Sequence, residues 1–321
     1  MNVKHLLLAT LVAGMASSTA VYAKTIKLSH ILPTEHPVHQ SLEWFAEETS
    51  GEIKDRIKVY PNGTLGSETT SMQMVQNGTI GLTKVSAALL ESFSESYKIL
   101  SLPYLYRDLD HYYSVVNGPI GKEILESSRD KGFIGLAFMD AGARSFYTDK
   151  PIVTPADLAG MKIRVQNSPL AIDIIKSLGA TPVPLPYGEL YSALQQGVVD
   201  GAENNIPSYY SSRHFEVKKF YSYDRHTMVP DVLVVSTDVW NGFTDEERSK
   251  IRNVIMKTND VQKKNWSDYV SKAKVDLAAK GVTFVESDTP TFQAAVTPVY
   301  DKFKAEYPQF GDMLIDIQNT K

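Results

Sequence analysis

Arg164 is the residue in this sequence best placed for binding chemistry. It lies between Ile163 and Val165 on a short predicted strand, so period-two alternation turns it away from the face those two bury. Just beyond it, Asn167-Ser168-Pro169 supplies a cap residue and a proline at the first helical position. That spacing predicts a helix N-terminus whose free N–H groups and dipole favour an anion. A guanidinium matches a carboxylate in plane, through two N–H groups at once. Both devices converge at the carboxyl end of a strand, where open α/β sheets bind ligands. On these local facts alone, Arg164 could equally be a solvated arginine or half of a structural ion pair.

Reaction chemistry has no comparable support. Gly-x-Ser-x-Gly and Gly-x-Gly-x-x-Gly do not occur, and Gly118-Pro119-Ile120-Gly121-Lys122 has the wrong spacing for a phosphate loop. The chain has no cysteine, which removes thiol nucleophiles, Cys-ligated zinc and a disulfide framework. His36 and His39 could face one way on a helix, but without a third ligand they read as a helix cap and a surface histidine rather than a metal site. Neither a metal nor an organic cofactor is expected. Carboxylates are plentiful, yet no spacing marks an acid and base pair. A net charge of −4 over 321 residues argues against a nucleic-acid-coating surface.

The elements that must position Arg164 begin after residue 23. Residues 1–23 read as a secretory leader, with Lys4 in a positive region, an apolar run from Leu6 to Ala13 broken by Thr10, and Val21-Tyr22-Ala23 at the cleavage site. That run is too short for a membrane span of about 20 apolar residues; a buried N-terminal helix is the alternative. Export without cysteine suits a bacterial periplasm.

The remaining chain follows β-α-β grammar. Strands predicted over 25–32, 56–60 and 79–85 alternate with helices, one opening at His36-Pro37 and one ending at Asn77-Gly78. The grammar recurs with strands over 162–165, over 180–183 and from Val198, separated by helices after Ser168-Pro169 and over 187–196. Two α/β halves follow, with helices packed on mostly parallel sheets. Met74-Val75-Gln76-Asn77-Gly78-Thr79-Ile80 and Ala193-Leu194-Gln195-Gln196-Gly197-Val198-Val199 mark similar helix-to-strand joins in the two. Extended segments over 133–148 and 229–236 would form a hinge if they crossed between lobes; two ordinary sheet strands would read the same way. Finally, Thr244-Asp245-Glu246-Glu247 is a capping box, and helical spacing continues past Leu277 to Gly281. Such a helix reaches roughly 55 Å, enough to span both halves unless it breaks near Asn259 or Asn265.

Longer stretches carry a family pattern: Arg144-Ser145-Phe146-Tyr147, the run from Pro151 through Ala159-Gly160-Met161-Lys162-Ile163-Arg164-Val165, and the run from Tyr187-Gly188-Glu189-Leu190 to Asp200-Gly201-Ala202-Glu203-Asn204. His30-Ile31-Leu32-Pro33, Tyr60-Pro61-Asn62-Gly63-Thr64-Leu65-Gly66 and Leu102-Pro103-Tyr104 agree in the first half. The chain closely resembles the solute-binding subunits of tripartite ATP-independent periplasmic (TRAP) transporters, the DctP family. The resemblance implies a two-lobed α/β periplasmic binding protein fold, with two crossing hinge strands and a long helix spanning both lobes. The expected partition is 24–140 plus 229–269 for lobe I and 141–228 plus 270–321 for lobe II. It also implies that Arg164 forms the salt bridge to a ligand carboxylate, with Arg144 a second cationic contact and Asn204 an amide donor to the same group. Tyr187 would be an aromatic wall, Glu68 a polar group reaching the cleft from lobe I, and His36 a further lining residue. The partners implied are a small and a large permease subunit, driven by an ion gradient.

For the ligand, Glu68 and Asp231 are expected to place negative charge opposite the two arginines. A second ligand carboxylate there would meet like charges in a desolvated site, whereas hydroxyl donors would satisfy acceptor-only carboxylates. One carboxylate with several hydroxyls describes a sugar acid, and 200–208, 212–217 and 226–231 resemble members that bind hexuronates such as glucuronate or galacturonate. C4-dicarboxylates or other carboxylates stay open as ligands. The reading from another class is a secreted enzyme acting on acidic sugars, with Glu68 and Asp231 as acid and base.

Overall fold

A computed structural model describes residues 23–321, so the expected leader lies outside the described residues apart from Ala23. In chain order the strands are β1 (Thr25–Ser29), β2 (Arg56–Tyr60), β3 (Leu82–Ser86), β4 (Phe133–Met139), β5 (Arg144–Thr148), β6 (Lys162–Val165), β7 (Thr181–Pro184), β8 (Gly201–Asn204), β9 (Phe220–Thr227), β10 (Asp231–Ser236) and β11 (Thr283–Glu286). They form two sheets, ordered β2-β1-β3-β10-β4 and β11-β9-β5-β8-β6-β7. β1 pairs in parallel with β2 and β3, and β6 with β7 and β8, as βαβ crossovers require.

The extended segment over 133–148 is two strands in different sheets. The chain leaves the first sheet at the end of β4, passes through 140–143 and enters the second as β5; it returns through 228–230 between β9 and β10. All four strands make antiparallel pairs within their own sheets. Both expected crossings are therefore real, and the second is preceded by β9, which the sequence pattern did not single out.

Local chemistry accounts for most boundaries. Helix Pro37–Glu52 starts at a His36 cap, and Glu68–Gln76 at a Ser67 cap. Gly78 and Gly197 take φ of 72° and 70°, the left-handed conformation that stops each helix before the chain turns toward its next strand. That shared device explains the two similar sequence stretches.

Helix Asp245–Ala279 has 35 residues and starts at the Thr244–Glu247 capping box; it runs unbroken through Asn259 and Asn265. Ile251 and Ile255 pack with Leu28, Leu42 and Phe45 under the first sheet, whereas Ala273 and Leu277 pack with Tyr147, Leu190 and Tyr221 under the second. A third cluster joins Val85 and Tyr112 to Ile163, Ile174, Phe292 and Phe303 across the lobes. The final segment, expected wholly in lobe II, also reaches lobe I. Tyr300 Oη donates to Pro103 O at 2.8 Å, and Arg107 Nη1 to Gln318 O at 2.8 Å.

Candidate functional site

A cavity of about 430 Å³ lies between the sheets where the crossing strands meet. Arg144, Arg164, Asn204, Glu68, Asp231 and Tyr187 all line it, so the structure brings six of the seven expected residues together. It opens into a wider space of about 1230 Å³ that Arg164, Glu68 and Tyr187 also border.

Arg164 projects from β6 and is 3% exposed. Its Nε and Nη2 donate to Leu185 O at 3.0 and 2.7 Å, and its Nη1 is buried without a partner. No carboxylate pairs with it among the described residues. Burial and the nearby Arg144 charge lower its pKa. A cation left unpaired in a desolvated position is costly unless something anionic joins it. The Tyr187 ring lies 5.7 Å from the guanidinium, and Tyr187 Oη is tied to Ser212 Oγ at 2.7 Å.

Arg144 is in a different state. Its Nε and Nη2 grip the Glu203 carboxylate in a bidentate pair, the Nη2–Oε1 distance being 2.8 Å, and Nη1 donates to Asn204 Oδ1 at 3.0 Å. The charge expected for a ligand is thus balanced inside the protein, and Arg144 has one N–H left to offer. Asn204 Oδ1 also accepts from Asn205 N–H at 2.9 Å, which turns the Asn204 amide N–H₂ away from these partners as a donor. Behind them, His226 bridges Asp224 at 2.7 Å and Glu203 at 3.4 Å. Burial alone would raise the Glu203 carboxyl, but Arg144 and His226 overcome it and hold it at about 2. Burial likewise disfavours charge on His226, yet Asp224 and Glu203 raise it to about 9.

The acidic end of the cavity corrects a second expectation. Lys84, buried in β3, places its Nζ 3.1 Å from Asp231 Oδ2 and 3.6 Å from Glu68 Oε1. Glu68 and Asp231 are therefore two carboxylates around one ammonium, carrying one net negative charge instead of two. Burial opposes the Lys84 charge, but Asp231 and Glu68 outweigh it and raise its pKa. Burial raises Glu68, with Lys84 opposing. Glu68 Oε2 and Asp231 Oδ1 receive no protein donor among the described residues, so acceptors remain for a ligand. The signal for Lys84 was legible: a lysine inside Leu-Thr-Lys-Val-Ser, a central strand buried throughout, is rarely solitary.

His36 does not line the cavity. Its Nδ1 accepts from Val38 N–H at 3.2 Å, so the neutral ring carries its proton on Nε2, which reaches Ser208 Oγ at 3.2 Å. Burial, followed by the Lys84 charge, pushes its pKa well down. The ring caps one lobe's helix and bonds the other lobe from behind the cavity wall. His39 bonds His30 at 3.0 Å, and no metal-ligating cluster occurs among the described residues.

The helix N-terminus at Ser168-Pro169 was expected to bind the ligand anion with Arg164. It does not face this cavity, because Glu91 Oε1 and Oε2 already accept from Ser168 Oγ at 2.7 Å and Leu170 N–H at 3.3 Å. Gln166, Asn205 and Ser208 add further amides and a hydroxyl to the lining; pattern reasoning had no reason to prefer them over other exposed-looking amides and hydroxyls.

Comparison with known proteins shows the family and the fold. Residues 28–306 match the sequence profile described as bacterial extracellular solute-binding protein, family 7, DctP. A solute-binding protein of Chromohalobacter salexigens is 33% identical over 312 residues, covering 96% of this chain and 93% of the relative. The structure is similar to a TRAP periplasmic solute-binding protein from Anaerococcus prevotii with bound α/β-D-glucuronate, with a TM-score of 0.90 and 38% identity, covering 92% of this chain and 98% of that one. It is also similar to one from a Bradyrhizobium species in complex with α/β-D-galacturonate, with a TM-score of 0.89 and 38% identity, covering 92% of this chain and 100% of that one.

Proposed function

The chain belongs to the DctP family, family 7 of the bacterial extracellular solute-binding proteins, and on that premise we propose that it is a periplasmic TRAP receptor whose ligand is a hexuronate, D-glucuronate or D-galacturonate. The observation that carries this reading is the buried Arg164 Nη1, which has no partner in the protein. A ligand carboxylate would take it, with the Asn204 amide and the remaining Arg144 N–H beside it. Sugar hydroxyls would donate to Glu68 and Asp231, and Gln166 would offer both a donor and an acceptor. The net negative charge of the Glu68–Lys84–Asp231 group disfavours a second ligand carboxylate there. Closure around the ligand is a population shift, driven by whatever extra contacts the closed state makes. Delivery would be to the small and large membrane permease subunits. No described helix is long and apolar enough to cross a membrane.

Isothermal titration against D-glucuronate, D-galacturonate, D-erythronate and succinate tests the reading. The hexuronates are expected to bind most tightly and to be recovered unaltered; chemical turnover would favour the enzyme reading. Arg164→Ala should weaken binding by about 2–5 kcal/mol, as truncating one partner of a buried ion pair does. An unchanged affinity in that variant would overturn the carboxylate assignment. At 100 times its dissociation constant, the ligand should stabilise the native state by about 2.7 kcal/mol, visible as a rise in Tm.

A further inference from the structure

The carboxylate that fills the helix N-terminus belongs to the opposite lobe. Glu91 follows the short helix Ala87–Leu90, directly after β3 of the first sheet, while Ser168 and Leu170 follow β6 of the second. Glu91 is 2% exposed. Ser168 Oγ accepts from Ala171 N–H at 3.0 Å, which leaves its single proton for Glu91 Oε1. Leu170 N–H takes the other oxygen. Ser168 N–H also donates to Gln166 O at 2.9 Å, so the held residue is one tight turn from the cavity wall. Where Glu91 sits therefore governs where the segment bearing Arg164 and Gln166 sits relative to Glu68 and Asp231.

We infer that Glu91 is an inter-lobe positioning residue, latching the start of helix Pro169–Ser177 to the first lobe so that making or releasing this contact is coupled to ligand binding. The inference rests on the sugar-acid reading only for its probe. The groups facing Glu91 are Lys98 and Ser101 from Glu95–Ser101, and Ser168 and Leu170 from the second lobe. Arg144, Glu203 and His226 line a cavity whose walls also include Ser101 and Ser168. Burial pushes the Glu91 carboxyl up to about 7, against the hydrogen bonds from Ser168 and Leu170 and the charge of Lys98. A carboxyl solvated by parting of the lobes returns toward its ordinary value of 4.5, so the latched state binds a proton more tightly than the parted one. Acidification between those values then favours latching.

The experiment compares wild type with Glu91→Gln, which is neutral at every pH and of similar size. Hexuronate dissociation constants are measured at pH 5.5 and 8. Because the chain lacks cysteine, spin labels can be placed at Lys122→Cys and Lys176→Cys, exposed helix positions in the two lobes, to read inter-lobe distance without ligand. Wild type is expected to bind on the order of tenfold more tightly at pH 5.5, with a shift of ligand-free distances toward the shorter population. Glu91→Gln should lose most of both pH responses while keeping a wild-type circular dichroism spectrum. Identical pH responses in the two proteins would overturn the latch. If no hexuronate binds the wild type, the sugar-acid reading fails, and the distance measurement still decides the latch.

Discussion

Lys84 holds two carboxylates together at a largely buried position on the cavity wall. Its side chain is 3% exposed, against 16% for Glu68 and 11% for Asp231. Lys84→Met would leave two buried acids facing each other without a counter-charge, and breaking such a pair costs about 3–5 kcal/mol. Urea unfolding at neutral pH measures this; a loss below about 1 kcal/mol would show that the cluster is solvated. The same residue shows how far the site could be anticipated. Arg164, Glu68, Asp231, Asn204 and Tyr187 were expected in one cavity and are found there. Lys84 and Glu203 were not given roles, yet they decide which charges a ligand meets. One neutralises half of the acidic end; the other occupies Arg144 and leaves Arg164 as the guanidinium with no carboxylate partner among the described residues.

The crossing 140–143 connects the lobes and is fastened to the long helix. Asp140 O accepts from Gln262 Nε2 at 2.7 Å, and Asp140 Oδ1 from Gly142 N–H at 2.7 Å. Gly142 has φ 61°, and a Cβ there would lie 2.9 Å from Trp266. Gly142→Ala is therefore expected to cost at least about 1 kcal/mol through the left-handed backbone alone, with more from displacement of Trp266. Gly51→Ala, which would meet nothing within 4 Å, is the control and should leave Tm unchanged or slightly raised. Equal Tm values for both variants would refute the constraint at the crossing. Helices and strands were the readily legible scale. Caps, prolines and left-handed glycines act over a few residues, so Arg56–Tyr60, Lys162–Val165 and the start of Asp245–Ala279 follow from the residues themselves. β9 and the partnering of β4 with β10 do not, because strand pairing depends on residues about a hundred positions apart.

For the whole molecule, buried titratable groups set opposing pH slopes. Burial holds His30 and His214 near 3 and His36 well below its ordinary value; these depressed histidines favour the native state above pH 6.5 and stop doing so as pH falls. Burial raises Glu91 to about 7, an effect favouring the native state most below pH 4.5 and lost as pH rises toward 7. His226 works against burial and is raised to about 9 by Asp224 and Glu203, so its contribution is full below pH 6.5 and lost as pH climbs through 9. Below pH 6.5 the unfolded chain takes up protons on His30, His36, His39 and His214, which pulls stability down on acidification, while the raised carboxyls of Glu91, Glu68, Asp140 and Asp224 oppose it. Above about pH 7, loss of the His226 contribution makes stability fall as pH rises. Calorimetry from pH 5 to 9 should show a Tm maximum near pH 7, and a Tm still rising at pH 9 would contradict the assignment of His226.

What the sequence determined by itself was a receptor-like plan: two α/β halves, a capped helix with spacing long enough for both, and an arginine at the carboxyl end of a strand. Those features are local, set by capping, alternation and turn chemistry within a few residues. Tertiary structure alone decided the electrostatics. Whether Arg144 is free, whether Glu68 and Asp231 repel a ligand, and which anion fills the helix end at Ser168 all depend on Glu203, Lys84 and Glu91. Each of these is brought into contact by folding from a distant position or from the opposite lobe, and at such short range in a buried cleft one added charge halves or cancels the local field.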